Sequence, residues 1–392
     1  MRTPLLLATV LAVGLMSSAC TADTASPGPV DETVRPAWQQ VTLPMPAGTS
    51  GRIAVRDAVA CAGQTYVVGG VFGADGNSVP AAWRSPDGVS WTTLSLAPVN
   101  FWAKLNVLSS IACRDGEVAM IGAKSGGAHG IPRVSTWYRA ADGSYVDVVS
   151  GYTLYGGPEG VSVGRLAAGP PGWIINGNRT SGGAVWNSAD ATEFTRVDRD
   201  PLLASDAEFD TATRDVAWTG EQWTVVGGAA RTGRVPRIPL AWVSADGLTW
   251  TRQDVPYGEH NEDLQKVMAA RDGTVAIGLR GDGFGEWTRD NAGRWRIGPA
   301  FGALDPAGVA SPFVSGLAVA GDRLFATVSD GSRYGMWVSD RSGSWVAMET
   351  PERPSTAGEH VMTAVVAGNF VVLLADDGRA GKVWTTAAIG NQ

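Results

Sequence analysis

The sequence predicts an all-β chain arranged as a closed ring of seven small sheets. Three observations carry that expectation: a tryptophan-flanked hairpin that recurs along the chain, two further short strands ahead of each copy, and a leading segment matching the one strand that the last copy lacks. The clearest copy is Ala241 to Pro256, AWVSADGLTWTRQDVP. Asp-Gly between aromatic and β-branched runs is the strongest short-range hairpin signal, because Gly tolerates positive φ and Asp accepts hydrogen bonds from the N–H groups of its own turn.

The hairpin recurs as AWRSPDGVSW (Ala82 to Trp91), TWYRAADGSY (Thr136 to Tyr145), VWNSADATEF (Val185 to Phe194), EWTRDNAGRW (Glu286 to Trp295) and MWVSDRSGSW (Met336 to Trp345). It begins once more at Val383-Trp384. The leading tryptophans Trp83, Trp137, Trp186, Trp242, Trp287, Trp337 and Trp384 are spaced by 54, 49, 56, 45, 50 and 47 residues. Ahead of the fourth copy lie RDVAWTG (Arg214 to Gly220) and QWTVVGG (Gln222 to Gly228), and each other copy has a similar pair. Four strands per repeat of about 50 residues is the pattern of a β-propeller blade. The segment AWQQVTLP (Ala37 to Pro44) matches the closing strands WTRQDVP and WVAMETP, each with Trp and Pro six apart. The expectation is a seven-bladed β-propeller closed by its N-terminal strand, with six blades as the alternative if one weak repeat is an insertion.

A chain of 392 residues is too long for one simple core, and a propeller resolves this with many small cores between blades. Fifty-one glycines, 16 tryptophans and no long helical period agree with it. A net charge of −7 with no basic stripe argues against nucleic-acid binding. His129, His260 and His360 have no metal-ligand spacing, and neither CxxC nor HExxH occurs, so no metal and no cofactor is expected. GVSVG (Gly160 to Gly164) fits G-x-S-x-G, but it precedes a strand in an all-β repeat, so Ser162 is read as a chance match.

Residues 1–19 read as an export signal: Arg2 is the charged start, and Pro4 to Met16 is an apolar run too short to span a membrane. Residues 20–36, polar and rich in Pro, Ser and Thr, read as a flexible tether, and 37–392 as the propeller. Cys61 and Cys113 hold matching places on the first strands of blades one and two. Export favours a disulfide between them, whereas the separation of neighbouring blades favours two buried thiols; both stay open.

The hairpin aspartates Asp87, Asp142, Asp190, Asp246, Asp290 and Asp340 read as turn braces, and no catalytic residue is assigned. The opposite face carries the long irregular loops, where function usually sits. Its candidate ligand-binding residues are Trp102, Arg133, Tyr155, Arg237, Tyr257, Glu259 and His260, a mixture of aromatic faces, arginines and carboxylate suited to a sugar, an anion or a peptide.

Two resemblances follow from quoted residues. Ser17-Ser18-Ala19-Cys20 resembles the lipobox of bacterial lipoproteins, with Ser17 where that family has Leu or another apolar residue. It implies cleavage before Cys20, lipid on its sulfur, and a place on the outer face of a bacterial cell membrane; plain secretion is the alternative. The SxDGxxW turns, Ser85-Asp87-Trp91 and Ser244-Asp246-Trp250 especially, resemble the Asp-box of sialidases and other BNR-repeat propellers, but lack one residue between Asp and Gly. In that family the box is structural and lies away from the active site. Arg237-Ile238-Pro239 is similar to the sialidase Arg-Ile-Pro, yet it falls mid-ring and follows Pro236, and seven repeats exceed the sialidase six. The reading is a membrane-tethered, single-copy, non-catalytic propeller that binds a cell-envelope glycan, peptide or protein. The alternative, a sialidase-like or other glycoside hydrolase, requires Arg133, Arg231 or Arg237 to cluster with Tyr257 and Glu259.

Overall fold

The computed structural model describes residues 33–126, 132–340 and 342–387. Cys20, the export signal, most of the tether and His129 lie outside them. The first strand, β1 (Gln39–Val41), belongs to the last blade. Blade one is β2 (Arg52–Cys61), β3 (Gln64–Phe72), β4 (Ser78–Ser85) and β5 (Thr92–Thr93), and blade two is β6 (Val107–Arg114), β7 (Glu117–Lys124), β8 (Arg133–Arg139) and β9 (Tyr145–Asp147). Blade three is β10 (Gly160–Gly169), β11 (Gly172–Arg179), β12 (Gly182–Ser188) and β13 (Thr195–Val197), and blade four is β14 (Phe209–Trp218), β15 (Trp223–Arg231), β16 (Arg237–Ser244) and β17 (Thr251–Gln253). Blade five is β18 (Glu262–Ala270), β19 (Gly273–Arg280), β20 (Gly283–Arg289) and β21 (Trp295–Phe301), and blade six is β22 (Phe313–Ala320), β23 (Arg323–Ser329), β24 (Tyr334–Ser339) and β25 (Trp345–Met348). The seventh sheet has the order β26 (Val361–Ala367), β27 (Phe370–Asp376), β28 (Gly381–Ala387), β1, with Gln39 opposite Thr385 and Val41 opposite Val383.

The chain is thus a seven-bladed propeller, not a six-bladed one. The first strands of the seven blades line a central channel of about 500 Å³. Each packs against the next around the ring, β26 against β2 included. Apolar clusters fill the seams. Val55, Val67 and Trp83 of blade one meet Val372 and Leu374 of blade seven. Ile174 and Val185 of blade three meet Trp223 and Trp242 of blade four. A middle strand such as β15 is buried on both faces, and its run Trp223 to Ala229 is apolar or small throughout rather than alternating.

The repeated tryptophans do two jobs. Their rings fill the seams, and several indole N–H groups donate to the chain arriving from the previous blade: Trp83 to the Pro44 carbonyl (2.8 Å), Trp186 to Leu154 (2.8 Å), Trp242 to Leu202 (2.6 Å) and Trp287 to Pro256 (3.0 Å). An apolar ring with one polar tip suits this place, where core meets loop.

Near the axis a second device joins the blades. Six of the seven innermost strands slip register, five of them once and β10 twice, as between Val55 and Asp57 and between Thr213 and Asp215. Such bulges re-aim a side chain and leave ladder groups unpaired. Side chains at that level accept backbone N–H groups of the next blade: Asp57 from Ile111 (3.1 Å), Ser110 from Leu166 (3.1 Å), Asp215 from Val267 (3.0 Å) and Gln265 from Val314 (2.7 Å). At the seam between blades seven and one, the fully buried Asp376 carboxylate accepts from Arg52 (2.9 Å) and Arg56 (2.6 Å). Cys61 and Cys113 form a disulfide with Cα atoms 5.6 Å apart. Neighbouring blades diverge outward but converge at the axis, and both cysteines lie on innermost strands, so equivalent positions come within bridging reach.

Candidate ligand groove on the long-loop face

The two ends of the ring differ in what their polar groups are free to do. On the hairpin-turn end, the carboxylates are engaged by their own turns. Asp87 accepts from the backbone N–H of Val89 and Ser90, Asp142 from Ser144, and Asp190 from Thr192 and Glu193. Asp246 accepts from Leu248 and Thr249, Asp290 from Ala292 and Arg294, and Asp340 from Ser342 and Ser344. These bonds hold all six carboxyls below the usual aspartate range. Gly247 sits at φ +75°, and a Cβ there would run into Asn187 and Ile174 of the preceding blade. That end is a structural surface.

The long-loop end carries most of the exposed apolar side chains. Val99, Phe101, Trp102, Val149, Tyr152 and Val161 gather on either side of blade two, whereas the hairpin turns expose only Val89 and Leu248. Local hydrogen bonds fix the first of these loops. Asn100 Oδ1 accepts from the Ala103 N–H (2.9 Å) and starts a single 3₁₀ turn, Ala103–Leu105, while Asn106 Nδ2 donates to the Trp102 carbonyl (3.0 Å). Asp147, buried at the end of β9, accepts from Val99 N–H (2.5 Å) and from the Asn100 amide. Trp102 is thereby held on a short, braced loop.

Arg133 opens β8 beside it. Its guanidinium carbon lies 4.1 Å from the Tyr152 ring centroid and 5.4 Å from that of Trp102, so the cation sits between two aromatic faces. Phe101 packs edge-on against Trp102 at 5.2 Å. Among the described residues the ion pairs of blade two join Arg114 to Asp115 and Arg139 to Glu117, and none reaches Arg133. Its buried Nε has no hydrogen-bond partner among the described residues. Lys124 stands directly opposite it across the β7–β8 pair. Trp102, Arg133, Tyr152 and Tyr155, with Asn100 and Ser135, line a groove of about 240 Å³ between blades two and three. Tyr155 forms its floor: it is buried against Trp186 (5.8 Å) and Phe194 (6.4 Å), and burial pushes its hydroxyl above the usual tyrosine range. A smaller cavity of about 210 Å³ shares Pro132, Val134 and Tyr155 with this groove. It leads towards the axis, where Ser109 and Val163 line both it and the central channel.

The structure therefore brings Trp102, Arg133 and Tyr155 together and holds the other sequence candidates elsewhere. Tyr257, Glu259 and His260 are exposed in the connection between blades four and five, and Arg237 donates its backbone N–H to Asn261 (2.8 Å) at that same seam. Arg231 packs over Phe209 and pairs with Glu208 (3.5 Å). Arg133 and the arginines of blade four thus keep separate partners. Two carboxylates at the start of β18, just beyond that connection, are more distinctive than Glu259 itself. Glu262 and Asp263 are buried, and burial raises both carboxyls above their usual range; Glu262 accepts from Gly258 N–H (3.3 Å) and Asp263 from Arg214 (3.0 Å). Tyr152 lines the groove and Lys124 stands beside it, and neither has a local sequence signal. Only the pairing of β7 with β8 and the one-turn helix Tyr152–Tyr155 set them beside Arg133.

No protein-family model matches the chain, and no curated protein resembles it in sequence. Solved structures similar to it include a β-propeller domain. The β-propeller domain of the Trilobed protease from Pyrococcus furiosus aligns with a TM-score of 0.50 at 10% identity, covering 87% of this chain and 95% of that one. A protein from Lactobacillus plantarum aligns at 0.52 and 10% identity, over 83% of this chain and 97% of that one. The sialidase of Trypanosoma rangeli in complex with the inhibitor DANA aligns at 0.43 and 10% identity, over 92% of this chain and 58% of that one. Likeness at such identity defines the fold class, an all-β propeller, and leaves the chemistry to be argued from the residues.

Proposed function

We propose that the chain is a non-catalytic binding propeller, held by lipid on Cys20 at the outer face of a bacterial membrane, that takes a glycan on its long-loop face between blades two and three. In this reading β1 is the latch of the ring. The observation that carries the binding role is the groove of Trp102, Arg133 and Tyr152: exposed aromatic faces on a braced loop, around a cation that no protein carboxylate neutralises. Sugar rings present C–H faces that stack on aromatic planes, while hydroxyls suit Asn and Ser at the rim. Among the described residues the groove lining contains no carboxylate and no histidine, so those residues present no acid–base pair of the kind glycoside hydrolysis requires. The test is a glycan-binding screen with the soluble domain 37–392. Wild type should retain one or more bacterial envelope glycans, and Trp102→Ala should lose them; an unchanged binding profile in Trp102→Ala would remove this face from the function.

A second reading, glycoside hydrolysis at the seam of blades four and five, draws support from the buried, raised carboxyls of Glu262 and Asp263. Turnover of fluorogenic sialosides or other glycosides, abolished by Glu262→Gln or Glu259→Gln, would favour it over the binding role. For the anchor, Cys20→Ser should release the protein to the medium, and retention on membranes would exclude lipidation.

A further inference from the structure

We infer that the glycan held by this groove is acidic, and that its carboxylate docks on Arg133 and Lys124 while its ring lies against Trp102 and Tyr152. The inference rests on the binding reading above and adds the charge of the ligand. Arg133 is stacked between two rings, which fixes the plane of its guanidinium and leaves its outer edge as the donor surface. A guanidinium edge matches a carboxylate with two parallel N–H bonds. Lys124, opposite Arg133 in register, puts a second positive charge at the same corner. Like charges directly opposite across a strand pair are unfavourable, and an anion bound at that corner relieves the repulsion. The chain between these strands, 125–132, contains no Asp or Glu, so no acid from that loop serves as counter-ion. Asp147, buried at the end of β9, is already engaged by Val99 and Asn100, and Asp75, the carboxylate that feels the Lys124 charge, is held by Asn77 and forms no ion pair with it. In a chain whose net charge is −7, a cationic corner that forms no ion pair among the described residues, beside exposed aromatic rings, is a selective feature rather than a consequence of composition.

A carboxylate also occurs on acidic peptides, but the groove favours the glycan. It is walled by side chains and loop backbone, and offers no open strand edge for a peptide to extend. Its volume of about 240 Å³ suits one or two pyranose rings.

The experiment compares three probes by titration calorimetry at low salt: an oligogalacturonate, the same oligomer with its carboxyls reduced to alcohols, and a poly-glutamate peptide. Wild type should bind the oligogalacturonate about tenfold or more tightly than the reduced oligomer. Arg133→Gln and Lys124→Gln should each abolish most of that preference while leaving the weak binding of the reduced oligomer in place. Trp102→Ala should weaken both oligomers. Equal binding of the two oligomers, lost in Trp102→Ala, would overturn the acidic-glycan inference and leave the glycan reading standing. No binding of either oligomer, with the groove-lining tryptophan fluorescence unmoved by them, would overturn the inference, and an empty glycan screen would overturn the reading beneath it. Arg133-dependent binding of poly-glutamate alone would replace the glycan with a peptide. Near-ultraviolet circular dichroism of each variant establishes that lost binding is not lost fold.

Discussion

At the scale of single residues, local chemistry was legible wherever a turn demands one backbone conformation. Asp87 and Asp246 bond to their own turns because Asp-Gly is a self-contained device, and nothing distant is needed to read it. The third blade shows the cost of departing from that device. There Ala191 stands in the position of Gly88 and Gly247, with φ +66° against their +73° and +75°. A left-handed conformation costs an L-residue roughly 1 kcal/mol, partly offset here by the packing of the Ala191 methyl in the seam of blades two and three. Ala191→Gly is therefore expected to stabilise the protein by up to about 1 kcal/mol, read as a higher urea midpoint at unchanged m. A lower midpoint would mean that the methyl contact outweighs the strain. The ligand groove was less legible at this scale. Trp102 and Arg133 stood out as residue types, but their stacking with Tyr152 unites three separate segments, and no local pattern marks Lys124 as their neighbour.

At the scale of elements, the hairpin was readable and the bulge was not. Tryptophan spacing and the alternation of turns and apolar runs locate the strands, since both follow from the covalent repeat. Asp57, Ser110 and Asp215 look unrelated in sequence, yet each is the first paired residue after its bulge and accepts a backbone N–H from the following blade, and Gln265, the bulged residue of β18, does so one position earlier. The equivalence is one of position, and side chains of different chemistry satisfy it. The hairpin turns also give the elements a pH signature. Six turn carboxyls are held below the usual range by hydrogen bonds to their ionised form, so the stability they contribute is present above the unfolded aspartate pKa of about 4 and is lost as pH falls through the folded values. Glu262, Asp263 and Glu286 are shifted the other way by burial, and they lose stability as pH rises above about 4 through their raised folded values. The melting temperature should drop between about pH 5 and about pH 3, and Asp246→Asn should flatten that drop. A melting temperature that climbs on acidification would show that the buried carboxyls dominate.

At the scale of the whole molecule, each blade touches only its two neighbours, and stability is a sum over seams. The seam of blades one and two carries a covalent tie, Cys61–Cys113, spanning 52 residues of sequence. Replacing both cysteines by Ala is expected to cost about 2–4 kcal/mol in equilibrium unfolding. A loss below about 1 kcal/mol would mean that the interdigitated side chains of that seam, Tyr66, Val68, Ile111 and Trp137 among them, suffice alone. The disulfide illustrates the limit of reading a ring from its period. The repeat puts both cysteines at equivalent places but is silent on whether those places lie at the hub or the rim, and only at the hub are they close enough to bond.

The pairing of Gln39–Val41 with Gly381–Ala387 sets the first and last strands of the described ring side by side and oppositely directed. Gln39 and Thr385 lie opposite each other close to where six other blades have a tight reversal between their third and fourth strands, so β28 and β1 take the places of one such hairpin without its loop. Bridging that gap with a Ser-x-Asp-Gly linker and opening the backbone at another hairpin, such as between Asp142 and Gly143, would give a circular permutant with the same seams in a different order of synthesis.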